Sequence, residues 1–246
     1  MASAVALSGP VLVLALIVAG YLVVVQPVVG RWSQARFERA VRDDPGARLA
    51  RYRRTMRLEW CLLAVVLALV AAAPEMDLAD IGVRPPGLTG GAAPFTVIGT
   101  VGLVLSAGLL SLLRSRLRRG RVAVAGPPRV VALLPRTAAE RTAFGRLAVT
   151  AGVCEEVLYR GFLLAVVVAL VPGLAPWGAV LVAVFGFGAA HAYQGAGGVL
   201  ATGVLGGCLA ILFLGSGSLL LPVLFHVLVD LRALLLSAAG PRHAAS

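Results

Sequence analysis

No charged side chain occurs between Val5 and Val29. A helix through this run is about 37 Å long at 1.5 Å per residue, enough to cross a hydrocarbon core of about 30 Å. The run lacks the basic start and short apolar core of a secretory signal, so it reads as a transmembrane helix. Six further apolar runs follow, at about Leu58–Ala73, Phe95–Leu113, Leu147–Val171, Trp177–Tyr193, Gly197–Leu214 and Ser218–Ser237. This succession predicts an all-α, polytopic transmembrane helix bundle of about seven spans. Composition agrees: 59% of residues are hydrophobic and 13% charged, against about 45–50% and about 25% in soluble domains. One regime persists from end to end, so residues 1–246 read as a single integral membrane domain.

The net charge of +11 does not indicate a nucleic-acid partner, because the Arg residues cluster in two loops between apolar runs. Nine lie between Arg31 and Arg57, and nine more (Arg114, Arg116, Arg118, Arg119, Arg121, Arg129, Arg136, Arg141, Arg146) follow the third run. Loops rich in Arg stay cytoplasmic. The intervening loop carries Glu75, Asp77 and Asp80 and is expected on the other face. Counting crossings puts the protein in the cell membrane, multi-pass, with its N-terminus outside and its C-terminus inside; Arg232 and Arg242 agree. Pro45 and Gly46 are expected to split the first polar stretch into two short helical pieces, with Trp32, Phe37, Tyr52 and Trp60 at headgroup level. All 22 basic residues are Arg, which with the Ala, Gly, Val and Leu bias suggests a bacterial, GC-rich coding sequence. Cys61, Cys154 and Cys208 show no CxxC spacing and read as apolar packing residues.

The fourth run contains CEEVLYRG, which sets Glu155, Glu156 and Arg160 in apolar surroundings. Ionisable groups at membrane depth are costly and mark function or internal pairing. Four residues apart on a helix, Glu156 and Arg160 share a face and can neutralise one another. Glu155 points about 100° away and is left for a polar cavity. The VPGLAP segment turns the chain before the fifth run, which contains FGFGAAH with His191 one turn beyond Phe187; the Gly-rich sixth run allows close helix contact. The seventh run contains HVLVD, with His226 and Asp230 on one face.

A carboxylate and two imidazoles around a wet cavity can activate water for attack on a carbonyl, with or without a metal ion, while the remaining polar groups stabilise the oxyanion. Each group also has an ordinary structural reading as an interhelical hydrogen bond. Three separate segments contributing such groups favour a site.

The motifs EEVLYR (Glu155–Arg160), FGFGAAH with Phe187 and His191, and His226–Asp230 resemble the EExxxR, FxxxH and HxxxN/D motifs of the CPBP intramembrane proteases. That family includes the type II CAAX prenyl endopeptidases and bacteriocin-immunity relatives. The resemblance covers about residues 145–238, and the DIGVRPP segment adds general likeness. It implies an endopeptidase acting on membrane-associated proteins or peptides at the bilayer. Glu155 and His191 would activate the water, His226 and Asp230 would stabilise the oxyanion, and Glu156 with Arg160, and Phe187, would support the site. Asp230 stands where the eukaryotic enzymes have Asn, so it is protonated, aims His226, or helps bind a metal. Two readings of the cofactor stay open: one divalent ion such as zinc on Glu155, His191 and His226, or none. Rival functions are a non-catalytic scaffold or immunity protein that retains the site, and a proton-coupled transporter. The transporter is disfavoured by the lack of inverted repeats and broken helices.

Overall fold

The computed structural model describes residues 9–74, 76–118 and 128–237; Glu75, Arg119, Arg121 and Arg242 lie outside them. Among the described residues there is helix and no strand. Helix α1 (Gly9–Gly20) passes through a π-helical turn, Tyr21–Val25, into α2 (Gln26–Asp43). A turn at Asp44–Gly46, where the Gly46 N–H donates to Asp44 Oδ1 at 2.7 Å, leads into α3 (Ala47–Ala72). The polar stretch therefore does not form two separate short helices. It extends the first two long helices, because Pro45–Gly46 interrupts the hydrogen-bonded ladder once only.

Trp32 and Trp60 stay exposed, but Phe37 and Tyr52 are buried. The Tyr52 hydroxyl donates to the Leu133 carbonyl and its ring meets Phe144 edge-on. The expected headgroup position thus fails for these two aromatics, which face neighbouring chain segments. Helix α4 (Ala93–Arg118) and the short α5 (Pro128–Ala132) precede α6 (Ala138–Glu155).

Helix α6 starts well before its apolar run, because Thr137 and Glu140 form a capping box. The Thr137 side chain accepts from the Glu140 N–H, and Glu140 Oε2 accepts from the N–H groups of Thr137 and Arg136, so three N-terminal donors are satisfied. A π-helical segment, Glu156–Leu163, joins α6 to α7 (Leu164–Leu170). The chain continues as α8 (Pro176–Ala190), α9 (Ala196–Ser216) and α10 (Leu220–Ser237).

By length and composition Gly9–Asp43, Ala47–Ala72 and Ala196–Ser216 can cross a membrane, and Pro176–Ala190 is apolar but shorter. The charges in the remaining long helices lower their hydropathy. Exposed apolar side chains line the outer faces, among them Ile17, Val24, Ile98, Leu105, Phe185 and Leu200. Water would not tolerate so broad an apolar surface, so this is a membrane protein.

Every residue from Glu156 to Leu163 is buried. Around this segment the core gathers Leu22, Val66, Ile81, Leu158, Phe162, Phe187 and Ala210. Cys154 is buried there, as its packing role requires, whereas Cys61 and Cys208 are exposed on outer faces. Close helix approach depends on missing side chains at two positions. A Cβ on Gly152 would lie 2.4 Å from Val227 Cγ2 and 3.0 Å from the Val227 nitrogen, so α6 and α10 touch backbone to backbone. A Cβ on Gly206 would lie 3.0 Å from Phe187 Cβ and 3.2 Å from Arg160 Nη2, so α9 lies directly on the polar centre.

Candidate active site

Glu155 is the last residue of α6, and Glu156 opens the π-helical segment. The regular α-helix expected here is therefore replaced by wider turns, a feature frequent at functional sites. The Glu156–Arg160 pair nevertheless forms: Arg160 Nη1 donates to Glu156 Oε1 at 2.8 Å, with both side chains fully buried. The guanidinium also lies over the Phe187 ring, 4.1 Å from its centroid. That stacking gives the fully buried cation a second partner.

Glu156 has a further partner that its spacing did not suggest. His226 Nδ1 lies 2.7 Å from the same Oε1 atom, and an ionised carboxylate only accepts, so the ring donates from Nδ1. This fixes the imidazole and turns Nε2 towards Glu155. His226 Nε2 stands 3.8 Å from Glu155 Oε2 and 3.9 Å from Asp230 Oδ2.

His191 caps the C-terminal end of α8 and leads into a 3-10 turn. Its Nδ1 lies 2.8 Å from the Phe187 carbonyl oxygen, which has no proton to give, so Nδ1–H is again the donor. In the neutral ring Nε2 is then an acceptor, and it stands 3.9 Å from Glu155 Oε2. Two imidazoles, from α8 and α10, thus present Nε2 to one carboxylate oxygen from α6. Phe187 sits beneath all of them, 4.5 Å from the His191 ring and 5.6 Å, edge-on, from the His226 ring.

The structure brings together Glu155, Glu156, Arg160, Phe187, His191, His226 and Asp230. A cavity of about 370 Å³ opens onto Glu155, His191, His226 and Asp230 and extends past Tyr193 to Arg51, Arg54 and Arg232. Glu155 Oε2 is buried without a hydrogen-bond partner. Sequence reading misses one more cavity residue, Glu59 on α3. Its signal is a single acid at the edge of the second apolar run, masked by the Arg-rich segment that precedes it.

A tetrahedral zinc with bonds of about 2.0–2.2 Å sets its ligand atoms about 3.3–3.6 Å apart. Glu155, His191 and His226 are the residues that would hold such an ion, and the two Nε2 atoms stand 3.9 and 3.8 Å from Glu155 Oε2. Among the described residues no group of three His, Cys, Asp or Glu side chains is arranged to hold a metal.

Residues 138–232 match the family model described as type II CAAX prenyl endopeptidase Rce1-like. No curated protein and no solved structure matches the chain. The matched stretch starts with the first residue of α6 and includes all seven residues of the expected site; Glu59 lies outside it. Over residues 138–232 the chain is similar to the CPBP/CAAX protease family.

Proposed function

We propose that this chain is an intramembrane endopeptidase that hydrolyses peptide bonds of membrane-associated proteins or peptides at the cytoplasmic side of the bilayer. The observation that carries this reading is the convergence of His191 Nε2 and His226 Nε2 on the unpartnered Oε2 of Glu155. At 3.8 and 3.9 Å these atoms are too far apart to bond directly, but a water about 2.8 Å from each can join all three. Glu155 takes the proton of that water as its oxygen attacks the scissile carbonyl. His191, whose Nε2 is an acceptor, holds the water in place. His226, held as an imidazolium by its Nδ1–H donation to Glu156, donates Nε2–H to the oxyanion. Asp230 Oδ2 lies 3.9 Å from His226 Nε2, beyond hydrogen-bond reach, and acts on the ring through its charge.

The purified full-length chain in proteoliposomes tests this reading. Internally quenched peptides with and without an S-prenyl cysteine are presented at the membrane. Cleavage at a defined bond is expected; a chain that is folded and inserted yet cuts none of them would favour the scaffold reading.

The proposed topology has seven spans in one membrane domain, with the N-terminus outside and the C-terminus inside. Arg51, Arg54 and Arg232 among the lining of the cavity support a cytoplasmic opening. With the three native cysteines replaced, Ala40→Cys and Thr89→Cys, both at exposed positions, are treated with an impermeant thiol reagent. Labelling of intact cells is expected only at position 89; external labelling at position 40 would reverse the orientation.

A further inference from the structure

Glu59 is a buried acid to which the water-activating mechanism gives no role. The residue is 8% exposed, Oε2 has no hydrogen-bond partner, and Glu59 joins no ion pair among the described residues. It lines the same cavity as Glu155, His191, His226 and Asp230, and its strongest charged neighbours are Glu155 and Asp230. Helix α3 is fixed against α6 beside it, where Trp60 Nε1 donates to Thr150 Oγ1 at 3.2 Å. A carboxylate placed among like charges, with no cation of its own, contributes nothing favourable to folding.

Resting on the endopeptidase reading, we propose that Glu59 contacts the nitrogen of the scissile bond, accepting its N–H and then holding the new amino terminus. The chemistry allows a carboxylate few other places. Beside the carbonyl oxygen it would repel the developing negative charge, and the attacking water is already served by Glu155. The amide nitrogen is different, because it carries a donor throughout and ends as a cation. The water oxygen bonds to the carbonyl carbon, the C–N bond breaks with its electron pair left on nitrogen, and the proton taken by Glu155 passes to that nitrogen. The new carboxylic acid gives up a second proton, which makes the amine an ammonium. Glu59 is the acceptor facing that charge, and this favours the products of amide cleavage in particular.

An ester has no N–H and leaves as a neutral alcohol, so it does not call on this residue. The test compares the internally quenched peptide that the wild-type chain cuts with its depsipeptide counterpart, in which oxygen replaces the scissile nitrogen. Glu59→Gln is expected to lower kcat on the amide by roughly tenfold to a hundredfold, the range for losing a hydrogen bond to a charged group. Glu59→Ala should lose more, and both variants should cut the ester at close to the wild-type rate. Detergent melting should be unchanged or higher in Glu59→Gln, since a buried carboxyl group beside Glu155 and Asp230 is replaced by a neutral amide of the same shape. Equal losses on amide and ester, or no loss on either, would overturn the proposal. Glu155→Gln serves as the reference: if it kept full activity the endopeptidase site itself would fail. If Glu155→Gln is inactive while Glu59→Gln matches wild type on the amide, only the Glu59 assignment falls. A wild-type chain that cuts no peptide would defeat both.

Discussion

Arg160→Ala is expected to destabilise the protein by about 3–5 kcal/mol, the range for breaking a buried ion pair by removing one partner. Arg160 and Glu156 are both fully buried, and Nη1 is bonded to Glu156 Oε1 at 2.8 Å. Without the guanidinium, Glu156 keeps its charge in the core with only the His226 ring to answer it. The space over the Phe187 ring would also empty, adding a packing loss. Melting in detergent should therefore fall sharply, and activity with it. A compensating pair separates the two effects. Arg160→Met with Glu156→Gln removes both charges and refills the volume, and such replacements are often neutral for stability. The double variant should melt near wild type yet remain impaired, because a neutral amide no longer holds His226 Nδ1–H as a carboxylate does. Recovery of both properties together would assign Glu156 to folding alone.

Separation along the chain decides how much of this site is legible in the amino-acid sequence. Glu156 and Arg160, and likewise His226 and Asp230, are four apart, so helical periodicity alone puts each pair on one face. Phe187 and His191 follow the same rule, and their contact is a backbone carbonyl receiving Nδ1–H. The Glu156–His226 bond joins residues seventy positions apart, and no period reveals it. It depends on Gly152, which lets α10 lie against α6. The π-helical segment is hidden for another reason: a widened turn leaves the apolar pattern of a fully buried stretch unchanged. Helix lengths suffer from the opposite error. Arg-rich sequence reads as loop, although Arg is a good helix former and only Pro45–Gly46 stops the helix. Glu59 escapes notice at the edge of that same segment.

The central claim is that Glu155 deprotonates the attacking water, and Glu155→Gln addresses it with the least change in shape. The amide keeps the side chain's size and its place at the end of α6, so insertion, expression and melting should match wild type. What it lacks is a base, and loss of a general base typically costs about 10²–10⁴-fold in rate. The most direct measurement is peptide-bond hydrolysis by purified wild type and Glu155→Gln in matched proteoliposomes, with products identified by mass spectrometry. The account predicts one defined cut by wild type and a rate lower by at least about 10²-fold in the variant. Wild-type rates from a folded Glu155→Gln protein would contradict it.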